Sequence, residues 1–470
     1  MNCAPSLSVH VLFRSVVLFA CLVVAPVFSA SWAQSAAPIP LNGCTVESYY
    51  AFPASAAAVL ISFDWDHTGA LHYTVGDGAW GTKLEVYRVA EGEAPFRVFD
   101  SQDIWAGSVM SCIDGYVYFN DGGDALRADA NYYYYPIEAP QSVAPLLEAP
   151  YGASLWGATA RHSGEFFASG SAVTWGPAAL FYSTVNASGQ LETLPPLQFG
   201  DLDDSPGPMV FDTEGNLYYA PGYSYGESAF LFRWSVAELE AALADPMLEG
   251  LEGDGHGFAA IPQPYAGATG LAVDLDANLY VTATAWDAPS QLLLFPKGQS
   301  SPLVLAEYEG RLEAVRFKDN AIYFSCADGI FKLPLLSVES ALDSPEVTAE
   351  QGKIALFLIE SHGGVGALQY QWYRKEGEET FLLAEETQPH LIMTAVWELS
   401  GAQFYCVVSD QVSSVVSPTF TLTVQPQLPL SGLFMKGIIL CLLIGCGIII
   451  LSTPLLRQCI PARNGGDKNL

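Results

Sequence analysis

Apolar and polar residues alternate along most of this chain in short runs, broken every few positions by Gly, Asp, Asn or Pro. "DLDANLYVTA", residues 274–283, shows the unit: an apolar lead-in, a turn rich in Asp and Asn, then a strand of apolar and aromatic residues. Period-two alternation bounded by residues that tolerate tight turns predicts a β-hairpin. The phrase recurs as "FDWDHTGALHYTV" from Phe63, "SCIDGYVYFND" from Ser111, "TARHSGEFFAS" from Thr159, "FDTEGNLYYAP" from Phe211, "VDLDANLYVTA" from Val273 and "RFKDNAIYFSC" from Arg316, at intervals of 43 to 62 residues. A third apolar run follows each hairpin, from "KLEVYRV" to "GIFKLPL", so each repeat reads as a small antiparallel sheet. Such sheets cannot hide their apolar faces alone, and stacking them around an axis hides them. The longest interval carries "SVAELEAALADP", residues 235–246, with the composition and spacing of a helix inserted between strands.

The sixth unit runs out of chain after "GIFKLPLLSV", and "CTVESYYAFPA" from Cys44 is expected to supply its outer strand, closing the ring and removing an exposed edge. The expected fold class is therefore all-β, a six-bladed β-propeller over residues 44–338. The hairpins at "DTEGNLYY" and "DLDANLYV" resemble the NHL and related six-bladed propeller families, in which an Asp-x-x-Gly-Asn-x-Tyr-Val phrase marks a blade. That resemblance implies a binding surface where loops from several blades converge at the mouth of the central channel. It also brings a second reading, a hydrolase such as a lactonase, or a lyase, with a metal at that mouth; a third is a structural surface spacer.

From Ser344 the texture changes to closely spaced alternating strands, predicting a sandwich over residues 344–425. "YQWY" around Trp372 and "AQFYC" ending at Cys406 resemble the core tryptophan and second cysteine of immunoglobulin-like domains. Where the first cysteine belongs, the chain has Leu356, Phe357 and Leu358, so Cys406 is expected to pack as a buried thiol.

The ends change the picture from a free domain pair to an exported one. His10 and Arg14 precede "SVVLFACLVVAPVF", and small residues near Ser31 and Ala33 complete a signal peptide over 1–33. Residues 437–456, "GIILCLLIGCGIIILSTPLL", carry no charge and have the length of a membrane-crossing helix. Arg457, Arg463 and Lys468 follow it, so the positive-inside bias leaves 457–470 as a cytoplasmic tail and the bulk outside the cytoplasm. "LPLSG", residues 428–432, is similar to a wall-sorting signal with Ser431 in the threonine position. The expected protein is a single-pass surface protein whose propeller binds a protein or carbohydrate ligand. A formal charge of −31 disfavours nucleic acid as a partner.

Candidate chemistry is sparse. Asp274, Asp276 and Asn278 mimic a calcium loop, but the aligned copies place Arg161 and Lys318 among the acidic positions, which a hard cation would not accept. The turn reading is preferred, with calcium kept only as a single-site option and no other cofactor expected. The remaining metal candidates are Asp203 and Asp204 in "GDLDD", and Asp254 and His256 in the Gly-rich "EGDGHGF". "GYSYG", residues 222–226, matches a nucleophile-elbow pattern but leads into a strand, the wrong context. Four of the nine cysteines, Cys44, Cys112, Cys326 and Cys406, fall in the exported part, and a Cys44–Cys326 bridge would staple the closing blade. The tyrosines of "NYYYYP" are expected to alternate between buried and exposed, while Trp80, Trp105, Trp156, Trp175 and Trp286 offer rings for stacking.

Overall fold

A computed structural model describes residues 37–52, 59–76, 83–102, 109–120, 132–147, 157–171, 177–194, 196–224, 226, 228–285 and 287–427. The fold is predominantly all-β and built from many small antiparallel sheets. Six follow one another in chain order. Sheet one has strands Val59–Trp65, Leu71–Gly76, Lys83–Val89 and Phe96–Gln102, paired in sequence order. Sheets two, three and four repeat that order over 110–147, 157–202 and 209–260.

Sheet five, over 267–308, takes Ile39–Pro40 against its outer strand, with Ile39 opposite Glu307. Sheet six has three strands of its own, Leu312–Lys318, Ala321–Cys326 and Gly329–Pro334, and Glu47–Ala51 completes it as an antiparallel fourth. The segment after Cys44 thus covers the open edge, and residues 39–40, ahead of the expected start, cover the edge of the neighbouring sheet.

Turn chemistry sets the hairpins. Asp114 and Gly115, like Asp319 and Asn320, take positive φ and form two-residue turns between paired strands, the geometry that matches strand twist. The first strand of each sheet packs on the first strand of the next, and that of sheet six packs on that of sheet one, so the contacts form a closed cycle.

An apolar layer fills each junction. Phe63, Trp65 and Tyr73 of sheet one meet Tyr323 and Ile330 of sheet six, while Leu84 and Val86 meet Met110 and Phe119 of sheet two. Burial on both faces explains why Tyr132, Tyr134 and Tyr135 are all buried, against the expected alternation. At about 1.5–3 kcal/mol for each large side chain removed from water, these layers supply most of the driving force.

The predicted helix is present as α1 (Val236–Ala244), opened by a capping box between Ser235 and Glu238. Leu239 and Ala242 pack on Phe199 and Leu202 of sheet three, and the chain returns through Leu251, bridged to Gly200. A Cβ at Gly200 would stand 3.0 Å from the Leu251 carbonyl, so any side chain there would crowd this crossing.

The remaining strands form two further sheets. One contains Ser337–Ser340, Ile354–His362 and His390–Thr394; the other contains Glu346–Glu350, Gln369–Glu376, Gln403–Ser409 and Phe420–Gln425, with two short additions. Ser337 and Val338, expected at the end of the first region, thus belong to a strand of this unit, Ser337–Ser340.

Trp372 and Cys406 are fully buried direct cross-strand partners. Phe357 lies 4.8 Å from Phe404, ring to ring, in the same buried cluster as Trp372 and Cys406. This unit meets the ring through Gly366 N–H to Asn42 O at 2.7 Å, and through Val365 and Val412 packed on sheets five and six.

The expected signal peptide, LPLSG stretch, membrane segment and tail lie outside the described residues, as do Trp80, Trp105, Trp156, Trp175 and Trp286. Among the described residues no helix is long and apolar enough to cross a membrane.

Candidate functional site

The acidic turns resolve first. Asp274 is buried, and its oxygens accept from Asp276 N–H (3.0 Å), Asn278 N–H (2.9 Å), Asn278 Nδ2 (2.9 Å) and the Tyr280 hydroxyl (3.0 Å). Donors surround this carboxylate where a calcium ion would need further oxygens. Asp212 is held alike by Glu214 N–H, Asn216 N–H and Asn216 Nδ2. These aspartates tie their hairpins shut.

In sheet one the matching residue is Asp66, whose Oδ1 accepts from the Thr68 amide and hydroxyl and from Ala70 N–H. The repeat there is shifted by two residues from the alignment on Phe63. Asp66 Oδ2 also meets His72 Nε2 at 3.0 Å, and His72 Nδ1 meets the Tyr135 hydroxyl of sheet two at 2.7 Å, in a fully buried chain. Burial alone would raise the Asp66 carboxyl, but His72 and Thr68 outweigh it and hold it below its ordinary value. Burial holds His72 low, toward neutral imidazole.

The sequence candidates do not form one site. Asp204 accepts from Ser224 Oγ at 3.0 Å, beside the connection between the second and third strands of sheet four. Asp203 and Asp254 are exposed. His256 lies at the other end of that sheet, its Nδ1 3.7 Å from Glu238 and its ring 5.9 Å from Trp234. "GDLDD" and "EGDGHGF" run close together, with Asp201 N–H bonded to the carbonyl of Leu251 just before the second stretch, but Asp204 turns to Ser224 while His256 turns to Glu238 and Trp234. Ser224, bonded to Asp204 and the Ser228 carbonyl, braces a loop.

Among the described residues, the grouping of three metal-ligating side chains is Glu339, Glu360 and His362, exposed on the second unit.

The expected Cys44–Cys326 bridge is not formed: both thiols are free and buried, and burial pushes each up to about 11. Cys44 lies on the crossing from sheet five to sheet six and faces Asp410, whereas Cys326 meets the Tyr308 hydroxyl and the amides of Asp328 and Gly329. The two sulfurs point into different surroundings.

What sequence reasoning missed is a cavity of about 360 Å³ where the first strands end at their hairpin turns, with Asp64 from sheet one, Ser111, Cys112 and Asp114 from sheet two, and Arg161 and His162 from sheet three among its walls. Arg316 of sheet six forms part of its floor. Arg316 donates from Nη2 to Met110 O at 2.7 Å and from Nη1 to Val315 O at 2.9 Å, and its Nε is 4.0 Å from Asp64 Oδ1. Asp64 accepts from Cys112 N–H at 2.8 Å and Trp65 N–H at 2.9 Å. Burial pushes the Asp64 carboxyl up, against the opposing pull of Arg316 and the two amides. The Cys112 thiol is pushed well up by burial and by Asp64 and Asp66, which keeps it unreactive. Arg161 is held by Glu165 and Glu240.

The signal that could have found this site is the Asp-x-Asp of "FDWD" once registered on Asp66: the first aspartate then has no turn to serve.

No family model matches the chain, and no curated protein matches it. Among solved structures it is similar to a chain from a structural analysis of two prolyl endopeptidases, with 10% identity, a TM-score of 0.36, and coverage of 77% of this chain and 50% of that one. Prolyl oligopeptidase B from Galerina marginata, bound to a 35mer substrate, gives 9% identity, a TM-score of 0.36, and coverage of 76% and 46%. A structure from a study of Dscam isoform specificity gives 10% identity and a TM-score of 0.20, covering 78% of this chain and 99% of that one. The chain spans about half the length of the two peptidase structures it matches.

Proposed function

We propose that the six sheets form a six-bladed β-propeller, that the following unit is an immunoglobulin-like sandwich, and that the whole is an exported, membrane-anchored binding protein whose ligand enters the mouth of the ring. The cyclic contact of the six first strands supports the propeller reading. Residues 437–456 supply the anchor in this reading, on hydropathy alone. The observation that carries the binding role is convergence: polar side chains from four of six sheets line one cavity of about 360 Å³, within the size range of small-molecule sites. Binding is favoured over catalysis because Cys112 is held as a thiol and Asp64 is occupied by two amides. A nucleophile needs a base aimed at it.

Filling the mouth tests this reading. Thr159 lines the cavity, and Thr159→Trp should leave the unliganded melting temperature within a few degrees. Small polar compounds that raise the melting temperature of the wild-type protein should then fail to raise that of the variant. Equal stabilisation of both proteins, or none of either across a broad compound set, would remove the mouth as the site.

A further inference from the structure

The cavity walls do not share the acidic excess of the chain. The protein carries 50 acidic residues against 19 Lys and Arg, yet Arg161, His162 and Arg316 line the mouth against Asp64 and Asp114. Arg316 is the group best placed to act. Two of its five N–H groups serve the carbonyls of Met110 and Val315, and Nε is too far from Asp64 for a hydrogen bond. The other three remain for a ligand, on a guanidinium whose plane is steadied 6.0 Å from the Phe63 ring centre.

A second observation points the same way. Arg316 also borders a smaller cavity of about 30 Å³ further along the axis, and Ser62 lines it. The Ser62 hydroxyl is fully buried and has no hydrogen-bond partner among the described residues. A buried hydroxyl without a partner is costly unless water or a ligand atom reaches it.

Resting on the binding reading above, we propose that the mouth takes a small carboxylate-bearing ligand, its carboxylate bound to the unused N–H groups of Arg316. A planar guanidinium matches a planar carboxylate through two parallel hydrogen bonds. Asp64 is the built-in competitor for that charge. The charged and titratable groups facing it are Arg316, Cys112 and His72, with Arg161, His162 and Asp114 around the same cavity. Protonating Asp64 removes the nearby negative charge that opposes a bound carboxylate, so binding tightens as pH falls, a direction that agrees with the raised Asp64 carboxyl.

The test is calorimetric titration of the full-length protein in detergent with succinate, and with its uncharged diamide, at pH 5.5 and 7.5. Succinate should bind more tightly at pH 5.5, and the diamide at least tenfold more weakly. Arg316→Gln should weaken succinate at least tenfold, the loss expected for a charge-assisted pair. Asp64→Asn should bind succinate at pH 7.5 as tightly as the wild type does at pH 5.5; any pH dependence left in that variant is set by succinate itself, whose second carboxyl titrates in this range.

No heat with succinate, equal affinity for the diamide, or full binding by Arg316→Gln overturns the proposal. Diamide binding that Thr159→Trp abolishes would overturn the carboxylate alone and leave the mouth as the site. Should Arg316→Gln not fold, Arg316→Lys, which keeps the charge and loses the fork, should still weaken succinate.

Discussion

Asp64 and Asp66 stand two residues apart on one strand end and do opposite things. Asp66 belongs with Asp212 and Asp274: each is buried in a hairpin turn with its oxygens taken by nearby amides and side chains. Asp64 points away from its turn toward a cavity, beside a guanidinium from the far end of the repeat array. The acidic phrase that most resembles a metal loop is therefore internal scaffolding, and the aspartate with no turn to hold lines the cavity. A side chain's role in these repeats is set by its register relative to the turn, and the letters alone do not carry it.

The sharpest way to break this comparison is Asp274→Ala. Two backbone amides, the Asn278 amide and the Tyr280 hydroxyl would lose their acceptor inside a buried turn. The cost should be about 3 kcal/mol, the scale for stranded buried donors. Denaturant unfolding measures it. Millimolar calcium should not move the wild-type midpoint; a calcium-dependent shift abolished by the substitution would return Asp274 to the metal reading.

Next in size is a difference of sign with pH. Asp66 is held low, so its contribution to stability is present above the ordinary carboxyl range and is lost as pH falls through its lowered value. Asp64 is pushed up, so its contribution is present below that range and is lost as pH rises through its raised value. Asp66→Asn should therefore cost most near neutral pH and least in acid. Asp64→Asn should cost least near neutral pH, where it removes a partly buried charge, and most in acid. Unfolding midpoints of both variants between pH 3.5 and 7.5 check the crossing; parallel profiles would mean that the two carboxyls share one environment.

Much of the architecture was legible because it rests on period and turn chemistry. Six hairpins, a helix after Trp234 and a sixth sheet short of one strand all follow from where apolar runs stop and Gly, Asp or Asn begins. The site was not legible, for two reasons. Convergence of Asp64, Cys112, Arg161 and Arg316 depends on long-range closure, and no local spacing encodes that residues 64 and 316 meet. The apolar phrase also aligns the repeat on Phe63 where the hydrogen bonds align it on Asp66, a slip of two that keeps the strand facing and so leaves the apolar pattern undisturbed. The cysteine pairing failed for a related reason: joining neighbouring strands puts Cys44 and Cys326 in one apolar cluster without aiming their sulfurs together.

The smallest effect tests the turn half of the comparison at single-residue resolution. The third residue after the turn aspartate is Gly69 in sheet one and Gly215 in sheet four, both at φ 85°, but Ala277 in sheet five at φ 62°. A residue with a Cβ is strained there, and glycine is not. Ala277→Gly relieves that strain while adding freedom to the unfolded chain, and the first term is the larger where the native φ is positive. The variant should gain about 0.5 kcal/mol, read as a small rise in the denaturant midpoint at constant slope. Gly215→Ala should lose a similar amount, since both positions close the same hydrogen-bonded loop on an aspartate four residues before an asparagine. If Ala277→Gly destabilises instead, the two turns are not equivalent, and the register that separates Asp66 from Asp64 loses its second witness.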